Sequence, residues 1–115
     1  MITIYQIKLT NDQIDQANLF GFHSVEAVEA KAKMMFGARK WEPEFAKFYT
    51  PTYEIDTDNL EDAFTITNLW NEDWKVTRIR KGSSSSVGDI FVKDGTAYLV
   101  DNFGFVEMDN INLAA

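Results

Sequence analysis

The side chains of this 115-residue chain whose types and spacing could support chemistry fall in three places. Asp56-Thr57-Asp58 sets two carboxylates two residues apart, as a calcium loop would. A calcium loop begun at Asp56 needs a ligand near Leu60, a glycine after it and a glutamate at its twelfth position, where Thr67 stands. All three requirements fail, so Asp58 is expected to cap a helix and Asp56 to be solvated, with no metal bound. His23 is the sole histidine, and a serine-nucleophile triad would need it as base. No partner adjoins it in sequence, and it is expected to pack on the first turn of a helix. Gly82 to Gly88 encloses four serines beside Arg78, Arg80 and Lys81, a run of backbone N–H groups that could hold an anion. The Gly-Lys-Ser/Thr order of a phosphate loop is missing and no helix follows, so a solvated loop is expected. Cysteine is absent, which removes thiolate catalysis, disulfides and cysteine-ligated zinc. The expectation is therefore a non-enzymatic chain with no catalytic, cofactor-binding or metal site.

Charge distribution is more informative than the net −7. Residues 1–50 balance, whereas 51–73 carry Glu54, Asp56, Asp58, Glu61, Asp62, Glu72 and Asp73 with no Lys or Arg. Lys75, Arg78, Arg80 and Lys81 follow as a basic stretch. Net acidity argues against generic nucleic-acid binding, which needs cations over the phosphates. No apolar run reaches the roughly 18 residues of a membrane span, and no signal peptide is legible at the start. A cytoplasmic protein without a membrane partner is expected.

The elements that must position these residues read as follows. Residues 2–9 alternate as a β-branched strand. Thr10 and Gln13 form a capping box for a helix to about Leu19, broken by Phe20-Gly21-Phe22. Ser24 is the expected cap of a second helix, with Val25, Val28, Ala32 and Met35 on one face and Gly37 just past its end. Glu42-Pro43 starts a turn or two of helix that Pro51 ends. Thr52–Thr57 reads as a strand. Asp58 and Glu61 cap a third helix with Leu60, Ala63, Phe64 and Thr67 on one face, fading near Trp70. Lys75–Lys81 reads as a strand. Asp94-Gly95 closes a two-residue hairpin that opposes Ile90 to Leu99, Phe91 to Tyr98, Val92 to Ala97 and Lys93 to Thr96. That pairing predicts a buried apolar face of Ile90, Val92, Ala97 and Leu99 and a half-exposed face bearing Phe91 and Tyr98. Phe103-Gly104-Phe105 then turns the chain. The fold class is α+β: one domain over 1–115, an antiparallel sheet of about four strands, and about three helices packed on one side of it.

The closing segment resembles a known family. Ser86-Val87-Gly88-Asp89-Ile90, the hairpin, and Tyr98-Leu99-Val100-Asp101-Asn102-Phe103-Gly104-Phe105 are similar to the signature that ends YodL-like domains, small domains of bacteria, plasmids and phages. Within 82–108 Ser85 departs from it, standing where the family often has a large apolar residue. Leu60–Asn68 resembles a segment that precedes the signature in small phage proteins. The resemblance implies a fold and a mobile-element context, and it transfers no catalytic residue.

Three functions follow as expectations. The first is a phage or mobile-element accessory protein acting in the host cytoplasm, which binds and modulates a host protein bearing a basic patch; homo-oligomers are also allowed. Its surface is expected at Glu54, Asp56, Trp70, Glu72, Asp73 and Trp74, where four acids have no local structural job, with Phe91 and Tyr98 as the alternative surface. The second is an acidic DNA mimic that inhibits a host nuclease or restriction enzyme. The third is a single-stranded nucleic-acid-binding module that grips with strand 75–81 and stacks on Phe91 and Tyr98.

Overall fold

The computed structural model describes residues 1–109, 111 and 113. The strands are β1 (Ile2–Ile7), β2 (Tyr49–Ile55), β3 (Val76–Arg78), β4 (Ile90–Lys93), β5 (Thr96–Val100) and β6 (Phe105–Met108). The helices are α1 (Asn11–Phe20), α2 (Glu26–Met34) and α3 (Leu60–Leu69), with short 3-10 turns between elements. All strand pairs are antiparallel, in the order β3-β2-β1-β4-β5-β6. The single α+β domain therefore holds a six-stranded sheet where about four strands were expected. Central β1 is flanked by the sequence-distant strands β2 and β4.

Local chemistry forms these elements. Thr10 and Gln13 exchange both bonds of the capping box at the start of α1. Asp94 and Gly95 both take positive φ in the β4–β5 turn, the type I′ geometry that matches strand twist. The β4–β5 register is the expected one, pair for pair. Two caps differ. Asn59, not Asp58, caps α3, its side chain accepting from the Asp62 N–H; Asp58 instead meets the Met1 amine at 2.7 Å. Ser24 leaves α2 uncapped by a side chain and donates to the Gly21 carbonyl. The buried face of α2 is accordingly Ala27, Ala30 and Met34, and Met35 is exposed.

The helices do not lie on one side of the sheet. α3 sends Ala63 and Ile66 onto Ile2, Ile4, Tyr53, Ile55, Phe91 and Val100. α2 and the 43–48 turn send Ala30, Met34 and Phe45 onto Ile7, Tyr49, Ile90, Ala97 and Leu99 of the opposite face. Two cores thus sandwich the sheet. A bulge makes this possible in β2. Ile4 pairs with Tyr53 but Tyr5 pairs with Pro51, so Thr52 is the extra residue, its buried hydroxyl donating to the Ile4 carbonyl. One inserted residue flips every later side chain to the other face. Tyr53 and Ile55 therefore join the α3 core, and Tyr49 joins the α2 core. The turn begun at Pro43 ends at Phe48, before the Pro51 expected to end it, and Pro51 lies within β2, where a bulge tolerates a residue without an N–H.

Candidate protein-binding surface

The segment 70–75 leaves α3 and enters β3. Trp70 ends the helix in the left-handed region, φ 54°, its N–H bonded to the Ile66 carbonyl. The conformation is uncommon for so bulky a residue, and packing holds it. The Tyr53 ring meets Trp70 edge-on at 5.5 Å, and the Arg78 guanidinium lies 4.9 Å from the indole centroid. Trp70 is thus a clamp between α3 and the sheet. Four residues on, Trp74 stands 76% exposed, and Leu69 on the last turn of α3 is 65% exposed.

The acids expected here are brought together but do not all stand free. Asp56 leaves the end of β2 with its N–H bonded to the Lys75 carbonyl, which draws the 72–75 turn against β2. Glu72 pairs with Lys75 at 3.0 Å, so it has the structural job the sequence did not show. The Glu72 hydrogen bond raises the Lys75 pKa, helped by the charges of Asp62 and Asp56. A cation therefore sits within the acidic block. Glu54 is half-buried in β2 between Thr3 and Thr77, whereas Asp56 and Asp73 are exposed and make no ion pair among the described residues.

Of the alternative surface, Phe91 is not exposed as expected, whereas Tyr98 is half-exposed. Phe91 is fully buried beneath α3, its ring 5.3 Å from Phe105, and Tyr98 is half-buried beside Glu107 of β6. With Phe91 buried, the Phe91–Tyr98 pair does not offer two rings for bases to stack on. Part of the basic stretch is also spent on structure. Arg78 covers Trp70, and Arg80 donates to the Pro51 carbonyl at 3.2 Å.

The serine loop is only in part the solvated loop expected: Ser83, Ser84 and Ser86 are exposed and Ser85 is buried. It crosses from edge strand β3 to β4 and is bonded to the fold at four of its N–H groups. The N–H groups of Ser83, Ser85, Ser86 and Gly88 go to Gln6 Oε1, the Thr67 carbonyl, Asp89 Oδ2 and the Val100 carbonyl. Four of the backbone donors of 82–88 are thus spent within the fold. Buried Ser85 shares a hydrogen bond with Thr67 of α3. Gln6 Nε2 also donates to Asp89 Oδ2 at 2.9 Å, and the Tyr49 hydroxyl donates to the Gly88 carbonyl. Burial pushes Asp89 up to about 6 against these hydrogen bonds and the charges of Lys31 and Lys8. Lys31, donating to the Ile7 carbonyl, is lowered by its own burial. This buried polar centre was not anticipated. Its one signal in sequence is Gln6, a polar residue on the inward phase of an apolar strand. His23 does have a partner, Glu29 at 3.4 Å, but the ring is exposed and Glu29 also meets Lys33.

Comparison with family models, with curated proteins and with solved structures finds no match to this chain.

Proposed function

We propose that this chain is a non-enzymatic protein-binding domain. Its partner is a protein with a basic patch, engaged at the corner where α3 passes into β3. The carrying observation is Trp74, a large aromatic left 76% exposed four residues from a tryptophan that the fold clamps down. Exposed tryptophan is enriched at binding hot spots, and Leu69 extends the apolar area beside it. Exposed Asp73 and Asp56 supply a rim that would steer a cationic partner. The resemblance to YodL-like domains adds the proposal that the setting is a phage or mobile element and the partner a host protein. Lys75 inside the acidic block weighs against a DNA mimic, which needs an unbroken ladder of negative charge.

The test is an association rate. Replacing Asp56 and Asp73 with lysine leaves the Glu72–Lys75 pair intact. Surface plasmon resonance against the captured partner should then show slower association with a flatter salt dependence. An unchanged on-rate in the charge-reversed protein would remove this corner from the interface.

A further inference from the structure

A second concave surface lies at the other end of α3. A cleft of about 390 Å³ opens between the helix and the β5–β6 turn, within the range of roughly 300–1,000 Å³ typical of ligand sites. Phe64, Val87, Val100 and Phe105 form its apolar lining, and Glu61 and Asp101 are its charged groups. The turn wall is held from both sides. The Asp101 N–H donates to the Gly104 carbonyl at 2.8 Å, and the Asp101 carboxylate accepts from the Ala38 N–H at 3.0 Å. Asn102 donates to the Phe36 carbonyl. Between the lining residues Asn102 and Gly104 the turn carries Phe103, 98% exposed. An apolar cleft with fixed walls and an uncovered phenyl group on its rim loses little on ordering when a partner arrives.

Charge selects the occupant. Asp101 is spent on the Ala38 N–H, and this bond holds its carboxyl below the ordinary range, so it stays anionic. Glu61 is exposed and makes no ion pair among the described residues. Lys93 lines only the adjoining depression beyond Glu61 and Phe105. A second copy of this chain, itself at −7, would bring Glu61 and Asp101 against their own kind across a two-fold axis. A cationic segment with an apolar anchor meets neither penalty.

We propose that the cleft between α3 and the 101–105 turn docks a short segment of a partner protein, an apolar side chain flanked by lysine or arginine. The proposal rests on the reading of the chain as a protein-binding domain, but not on the Trp74 corner.

The experiment titrates the ¹⁵N-labelled chain with an end-blocked peptide of sequence GKLFKKG, following amide shifts by NMR. Peptides GELFEEG and GKSSKKG are the charge and apolar controls. Saturable shifts are expected at Glu61, Phe64, Thr65, Val87 and the 100–105 segment, with affinity at least about tenfold weaker for either control. Glu61→Lys and Phe103→Ala, both at exposed positions, should weaken binding by a similar factor, and Trp74→Ala should not. No saturable shift, equal response to a control, or dimerisation of the free chain through this cleft in sedimentation would overturn the proposal. Binding lost in Trp74→Ala but kept in Glu61→Lys and Phe103→Ala would also overturn it, while leaving the corner reading in place.

Discussion

The serine loop and the 70–75 corner are each divided between packed and exposed residues, although the first was expected to be solvated and the second to be a partner surface. The loop, with four serines between two glycines, looks like polar chain facing water. In the fold the N–H groups of Ser83, Ser85, Ser86 and Gly88 are paired inside the molecule and Ser85, Gly88 and Asp89 are buried, while Ser83, Ser84 and Ser86 stay exposed. The corner, with two tryptophans among its acids, reads as an exposed partner surface. Only Trp70 is packed there, and Trp74 is left in solvent. Composition thus says little about where a surface has work left to do. What separates the two regions is whether each group's contacts are met internally. The loop spends four N–H groups and the Ser85 hydroxyl on folding, and the corner keeps an aromatic ring and two carboxylates unspent.

The largest expected effect tests the closed character of the loop. Gly88 has φ 95°, and a Cβ there would stand 2.8 Å from Met34 Cβ and 2.9 Å from the Met34 carbonyl oxygen. Gly88→Ala combines a strained backbone with a clash against the backbone of α2, and should cost about 3 kcal/mol in urea unfolding. A loss below about 0.5 kcal/mol would mean that the loop is not seated against α2 as described.

The next concerns Asp89. Its folded pKa, about 6, lies above the ordinary 3.8. Between these values the folded state holds a proton that the unfolded chain has released, so this group makes folding more favourable as pH falls from about 6 to 4. Above pH 6 the ionised, buried carboxylate imposes its full cost, on the order of 2–3 kcal/mol. Asp89→Asn should remove that contribution. The stability difference between wild type and variant, measured by denaturant melts from pH 4 to 8, should change through this window in wild type's favour at the acid end. A pH-independent difference would place Asp89 in contact with water.

Trp70→Ala probes the packed half of the corner. A half-buried indole lost from between Tyr53 and Arg78 should cost about 2 kcal/mol. A neutral result would erase the distinction between the two tryptophans.

Parts of this were legible in the sequence because they are decided locally. The Thr10–Gln13 box and the Asp94-Gly95 turn are set by a few adjacent residues, and the turn length alone fixes the β4–β5 register. What distant chain covers was not legible by the same means. The hairpin reads as one buried and one half-exposed face until α3 and Phe105 are placed over Phe91. Ile90-Phe91-Val92, apolar on both phases, was the available sign of a strand buried on both sides. β2 was expected to begin only after Pro51, because the bulge that lets the strand run through this proline depends on β1. At the candidate site the residues were legible but their division of labour was not. Glu72 and Lys75, three apart, carried a visible pairing signal, whereas the clamp on Trp70 needs Arg78 and Tyr53 from two other elements.

The central claim is that Trp74 is exposed for a partner and not for the fold, and Trp74→Ala tests it directly. The protein captured by the wild-type chain from a cell lysate is measured against both chains by surface plasmon resonance, alongside thermal melts of each. The account predicts melting stability within about 0.5 kcal/mol of wild type, as for a surface change, and partner affinity at least about tenfold weaker, a hot-spot loss. Equal affinity of the two chains for that partner would contradict it.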